Sequence, residues 1–299
     1  MKHTIEVTDR ADKALARLFP DAGRRQLAAL FEAGAVRVNG KRAKKGDRVA
    51  AGDTVELARA PVSGDALRPV PDPAVQLVIL VERPELVVIA KPAGVPSQPL
   101  RAGELGTIAN GLAHRFPECA AIGDDARDGG LVHRLDIGTS GALVAARTPE
   151  TYRALREAFA AGQVSKHYLA ITDGHPVARE CDAPLAQRGK RVAVDVAEGL
   201  PAYTEIVIER TSPDHALVRC IAQTGRMHQV RAHLAHVGAP ITGDTLYGGA
   251  ALHGNDGFFL HAVSIALPIA AGPGEPAQLV VEAPLPDRFS AALIACALG

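Results

Sequence analysis

The chain has 299 residues, 47% of them hydrophobic and 22% charged, a size and composition that exclude a disordered chain and allow two domains. Its 33 Lys and Arg balance 33 Asp and Glu, which excludes a broad electrostatic grip on nucleic acid. The imbalance is local, with 12 basic against 8 acidic side chains in residues 1–57.

The first six residues, MKHTIE, contain no apolar core of the kind a signal peptide needs. The longest apolar runs, such as VILV at 78–81, are strand-sized and far short of the roughly 20 residues of a membrane span. Cys119, Cys181, Cys220 and Cys296 stand far apart and read as free thiols of a reducing compartment. A cytoplasmic protein with no membrane contact is expected.

Residues 8–57 read as a small unit. Leu15 and Leu18, then Leu27, Leu30 and Phe31, recur at helical spacing, and Gly34 stops the second helix. The stretch VRVNGKRAKKGDRVAAGD alternates apolar and polar residues around an Asn39-Gly40 hairpin turn. Arg24 and Arg25 open the second helix, and Lys41, Arg42, Lys44 and Lys45 crowd the hairpin. A solvated charged face is the ordinary reading of such a run. Residues 58–73 hold four prolines and no periodicity, so they read as a linker. The first unit therefore spans 1–57 and the second 74–299.

In the second unit, residues 77–91 predict two apolar strands around Glu82-Arg83-Pro84-Glu85, the second running into a proline-rich loop at Lys91. The stretch HRLDIGTSG places His133 and Arg134 just before Asp136, then small turn-formers and a buried strand. An Asp before a turn is commonly a cap. Here His133 and Arg134 offer charge partners that would keep Asp136 ionised, as a nucleophile toward a sugar carbon must be. Residues 148–159 predict a helix. In SKHYLAI, Lys166, Tyr168 and Ala170 alternate onto one strand face, where Tyr168 either packs or stacks on a base. In QTGRMHQVRAHLAHVG, Met227, Val230, Leu234 and Val237 form an apolar helical stripe. A helix starting at Thr224 or Gly225 puts Arg226 in its first turn, where the dipole disfavours a cation, so a carboxylate partner is expected. His228, His233 and His236 lack a metal-binding pattern, and no phosphate-binding loop is present; no metal or cofactor is expected. Strands and helices do not alternate in βαβ order, so an α+β fold with a mixed, largely antiparallel sheet is expected.

Two resemblances follow. The first unit resembles the αL RNA-binding motif of the fourth small-subunit ribosomal protein, with Gly23-Arg24-Arg25 where that family usually has a Ser-Arg pair. HRLDIGTSGALVAAR, KHYLA, TGRMHQVRAHLAHVGAPITGDTLYG and FLHA, in this order, resemble the RluA-type pseudouridine synthases, which isomerise uridine within RNA. The resemblance implies that Asp136 is the essential carboxylate, attacking the sugar or abstracting a sugar proton. It implies that Tyr168 stacks on a flipped uracil, that Arg226 pairs with Asp136, and that Arg134 contacts the phosphate backbone. His133, Lys91 and the basic residues of the first unit, Arg24, Arg25, Lys41, Arg42, Lys44 and Lys45, are the further RNA-contact candidates. Ser97-Gln98 stand where the family more usually has Val-His, and Arg147 where it commonly has Lys. The appended domain favours large-subunit ribosomal RNA over tRNA as substrate, and a monomer is expected. A non-catalytic assembly factor is the alternative from another class. A nucleosidase would need a second carboxylate, for which Asp244 is the candidate.

Overall fold

The computed structural model describes residues 1–20, 22, 24–58, 64–189, 191–252, 257–269 and 278–299, with the backbone alone at 24–26, 64 and 65. The chain divides into two compact units, one of Met1–Arg68 with Pro99–Glu104 and Asp125–Arg127, the other of the remainder.

The first unit runs β1 (Lys2–Thr4), β2 (Asp9–Arg10), α1 (Ala11–Leu18), α2 (Arg24–Glu32), β3 (Val36–Val38), β4 (Lys41–Arg42), β5 (Arg48–Val49) and β6 (Thr54–Leu57). Leu15, Leu27, Leu30 and Phe31, the residues of the helical period, are buried against Val36, Val49 and Val55. The β3–β4 turn takes Asn39 and Gly40 through φ of 48° and 80°, the left-handed pair that a tight hairpin requires.

The second unit is built on a nine-stranded sheet. Its strands are β7 (Val78–Glu82), β8 (Leu86–Lys91), β9 (Ser140–Ala146), β10 (Ser165–Asp173), β11 (Glu180–Cys181), β14 (Thr204–Thr211), β15 (His215–Ala222), β16 (Leu260–Leu267) and β17 (Leu279–Glu282). A separate hairpin pairs β12 (Leu185–Arg188) with β13 (Arg191–Val194). The sheet order is β11-β14-β15-β10-β16-β9-β8-β7, with β17 on β16. Every pairing in it is antiparallel except β9 with β16, which is parallel. This is the expected α+β architecture. At that parallel junction Gly141 has φ of 120°, and a Cβ there would meet the Ala262 carbonyl oxygen at 2.2 Å. Only glycine lets the two backbones approach so closely.

Both sheet faces are covered, which is why the strands read as nearly continuous apolar runs. Leu86 and Val88 alternate with Val87 and Ile89 between two cores, as Ala142 and Val144 do with Leu143 and Ala145. One face receives α4 (Pro149–Ala160), and α6 (Asp287–Ala295) packs on Leu169, Ile171 and Leu217. The opposite face receives α3 (Ile108–Arg115) and α5 (Gln229–His236). The helix expected at 148–159 forms one residue on, with Thr148 as its cap.

The end of the proline-rich segment is not free chain. Asp72 is buried, accepting from Ala74 and Gly106, and the Asn110 amide of α3 donates to the Val70 carbonyl. Residues 59–63 of that segment lie outside the described residues.

Candidate active site

Asp136 lies in an irregular turn between Leu131, which bridges to Ala145, and the start of β9. Two clamps shape this turn. The Ser97 hydroxyl donates to the Leu135 carbonyl at 2.8 Å and accepts from the Leu135 N–H at 3.2 Å. The Lys91 ammonium donates to the carbonyls of Pro92, Ile137 and Thr139 at 2.9, 3.2 and 2.8 Å. Lys91 therefore corrects the sequence reading. It is 1% exposed and all three donors are engaged, so it holds the Asp136 turn from behind and does not reach RNA. Burial pushes its ammonium down to about 8, against the opposing pull of Asp136. The sign legible in sequence was its place at the end of the apolar strand LVVIAK. Ser97, singled out only as a departure from family pattern, is the other clamp.

The partner of Asp136 is also not the one expected. Arg231 donates from Nη1 to Asp136 Oδ2 at 3.1 Å. Its Nε and Nη2 form a two-pronged pair with Asp244 at 2.6 and 2.8 Å. Arg226 instead donates from Nε to the Pro201 carbonyl at 2.9 Å. The reason is the helix start. α5 begins at Gln229, after His228 takes a left-handed φ of 52°, so Arg226 sits in the preceding loop and Arg231 occupies the first turn. A cation misplaced against the helix dipole does mark the carboxylate partner, but the cation is Arg231. Its side chain is 7% exposed and stacks on the Phe258 ring, 4.3 Å from the centroid. Burial alone would lower its pKa; the hydrogen bond and charge of Asp244, with those of Asp136, raise it instead. Asp244, 1% exposed, has both oxygens on Arg231, so the candidate second carboxylate of a nucleosidase is already engaged.

His133 turns away from Asp136. Its ring stacks on Phe159 of α4 at 5.0 Å and its Nε2 accepts from the Val144 N–H. Burial pushes its pKa down to about 3, so it is neutral and offers Asp136 no charge. Arg134 is exposed and lines the same cleft as Asp136.

That shallow cleft, with a cavity volume of about 70 Å³, is also lined by Tyr168, Thr139, Arg226, His228 and Arg231. Tyr168 reaches it from the strand face that it shares with Ala170, packed with Cys220 of β15. β10 pairs Lys166 with Ile265 but Tyr168 with Ala262, which breaks the expected alternation between them. The Lys166 ammonium lies 5.8 Å over the Phe159 ring and donates to the Thr224 carbonyl, while Tyr168 faces the cleft. Burial, with the Asp136 charge nearby, raises the Tyr168 phenol, so it keeps its proton. Among the described residues no group of three or more His, Cys, Asp or Glu is placed to hold a metal. His233 of α5 is engaged by Thr204 and the Ala183 carbonyl.

In the first unit, Lys41, Lys44 and Lys45 are exposed, while Arg42 donates to the Glu32 carbonyl at 3.2 Å. The side chains of Arg24 and Arg25, and Gly23, lie outside the described residues.

Residues 85–236, just over half of the chain, match a family model described as RNA pseudouridylate synthase. This chain belongs to that family. An S4 domain matches residues 9–55. The ribosomal large subunit pseudouridine synthase D of Xanthomonas campestris pv. campestris is 33% identical, over 93% of this chain and 86% of its own. That of Xylella fastidiosa is 37% identical over 81% and 72%, and an uncharacterized RNA pseudouridine synthase of Chloroflexus aurantiacus is 36% identical over 88% and 83%. Human RNA pseudouridylate synthase domain containing 4 shares the fold, with a TM-score of 0.59 at 24% identity over 74% of this chain and 93% of that one. For this family member, the charged pair of Asp136 and Arg231 beside Tyr168 is the part of the cleft with chemistry to offer.

Proposed function

We propose that the cleft converts specific uridines of large-subunit ribosomal RNA to pseudouridine, with Asp136 as the essential carboxylate. The observation that carries this reading is Asp136 held by Arg231 at 3.1 Å in a cleft that Tyr168 also lines. The relatives bearing the large-subunit name cover most of this chain and favour ribosomal RNA over tRNA. The isomerisation breaks the bond from the ribose C1′ to N1 of uracil and forms one from C1′ to C5. The C5 proton leaves and N1 takes one up. No activated water is consumed, so one carboxylate serves where glycoside hydrolysis ordinarily uses two. Asp136 acts at the ribose, by attack on C1′ or by removing a sugar proton. Arg231 holds its Oδ2 through a charge-assisted hydrogen bond. Tyr168, protonated, supplies an aromatic face for a base that has left its stack. Arg134, exposed beside the cleft, takes a backbone phosphate. Residues 1–57 supply a second RNA contact, residues 74–299 carry the chemistry, and the protein acts as a cytoplasmic monomer. Among the described residues no helix is long and apolar enough to cross a membrane.

The test is pseudouridine mapping of total RNA from cells lacking the gene, complemented by wild type or by Asp136→Ala. Loss of defined large-subunit sites, restored by wild type alone, is expected. Restoration by Asp136→Ala would remove Asp136 from the chemistry, and no change at any site would leave the assembly-factor reading.

A further inference from the structure

His228 enters the site in a way the reaction outline does not use. It precedes α5 with a φ of 52°, a conformation free to glycine and costly to a residue with a Cβ. The loop that forces this is tied by buried Gln229. The Gln229 Oε1 accepts from the Thr224 hydroxyl at 2.7 Å and the Arg226 N–H at 3.1 Å, and its amide donates to the Tyr203 carbonyl at 2.8 Å. Held so, the imidazole lies between two groups. Nδ1 is 3.0 Å from the Tyr247 hydroxyl, and Nε2 is 3.8 Å from Asp136 Oδ2.

The tautomer follows from the hydrogen bonds. The Tyr247 oxygen already accepts the Val192 N–H at 2.8 Å, and Nδ1 is the acceptor within reach of its one proton. Nδ1 is then the acceptor, and the imidazole proton sits on Nε2, facing the carboxylate. The opposite tautomer would point a nitrogen lone pair at Asp136. Burial lowers the His228 pKa, opposed by Asp136 and Asp244 and reinforced by Arg231 and Arg134, so the ring is neutral. Arg231 and His228 thus both approach Oδ2, and among the described residues no hydrogen bond reaches Oδ1.

We propose that His228, oriented by Tyr247, is a positioning residue that with Arg231 holds Oδ2 of Asp136 and leaves Oδ1 as the oxygen presented to the ribose. The proposal rests on the reading of Asp136 as the essential carboxylate. In the unliganded cleft the 3.8 Å separation exceeds a hydrogen bond, and such contacts tighten when substrate excludes water.

The experiment measures tritium release from a large-subunit ribosomal RNA transcript made with 5-tritiated uridine, since each turnover expels the C5 proton. Full-length wild type, Asp136→Ala, His228→Ala, His228→Gln and Tyr247→Phe are compared. Misorienting a reacting group costs up to about a hundredfold, so His228→Ala is expected to lower kcat by about ten- to a hundredfold with KM within about twofold. His228→Gln, whose amide restores an N–H donor, is expected to recover a large part of that loss. Tyr247→Phe, which frees the tautomer, falls between. A kcat for His228→Ala within about twofold of wild type overturns the proposal, as does a KM rise at unchanged kcat, which would make His228 an RNA contact. Equal losses in His228→Ala and His228→Gln with unchanged melting would also overturn it. If His228→Ala melts early, the Gln variant carries the comparison. Inactive wild type or active Asp136→Ala would instead strike the underlying site reading.

Discussion

Two arginines five residues apart divide the work at the cleft, and their environments say how. Arg226 is exposed and binds a carbonyl, whereas Arg231 is buried and joins Asp136 to Asp244. Arg226→Ala is expected to leave kcat within about threefold of wild type, with any effect in KM. Arg231→Ala strands the buried Asp244 and should cost about 3–5 kcal/mol of stability, as breaking buried pairs does. Arg231→Lys keeps the charge but loses the planar fork, so it should fold and still lose about a hundredfold in kcat. Steady-state kinetics beside urea denaturation checks all three. Equal kinetic losses at both positions would contradict this division.

At the scale of the element, the Asp136 turn depends on a strand end for its shape. Lys91 closes β8 and supplies donors to three carbonyls, two of them in the turn. Lys91→Met leaves those carbonyls without a donor, and an unsatisfied buried polar group costs about 1–3 kcal/mol. The variant is therefore expected to lower the urea midpoint and to reduce kcat through a looser turn. The sign of the pH effect follows from the pKa. With the folded value near 8 and the unfolded value at 10.5, the unfolded chain holds a proton in that interval that the folded chain has shed. This group's contribution to stability therefore rises with pH between 8 and 10.5, and its burial cost is full below 8. The wild-type stability measured against Lys91→Met should climb across that window by at most about 1.4 kcal/mol per pH unit. A flat difference would mean that Lys91 is not titrating there. Elements elsewhere behaved as their patterns suggest: α1 and α2 follow the leucine spacing, and α4 follows its cap. The start of α5 did not, because its position depends on the tied loop of Thr224 and Gln229, a tertiary arrangement with no local signature.

For the molecule as a whole, a balanced net charge conceals a basic hairpin on the first unit, with Lys41, Lys44 and Lys45 all exposed. Contacts from such residues to phosphate release counterions, so they set affinity and its salt dependence but not the chemical step. Replacing the three lysines with glutamine should weaken binding of a ribosomal RNA fragment and flatten the plot of log affinity against log salt by about one per lysine that touches phosphate. The rate at saturating RNA should not change. An unaltered salt slope would return these lysines to an ordinary solvated face.

Sequence alone determined what depends on near neighbours. Leucine spacing, the Asn39-Gly40 turn and the alternating runs of β8 and β9 each follow from local periodicity and backbone sterics, and together they led to the α+β class. The motif around Asp136 was legible for the same reason, because its residues are contiguous. Tertiary structure decided which groups meet that carboxylate. Asp136 and Arg231 are 95 residues apart in sequence, and Arg231 rather than Arg226 reaches Oδ2 because a left-handed His228 delays the helix. The departure of Lys166 from the face of Tyr168 accompanied a register shift between neighbouring strands, and the engagement of Lys91 rested on carbonyls from a distant turn. Burial, which sets the charge of Lys91, His133 and His228, is a property of the packed chain, and no stretch of sequence carries it by itself.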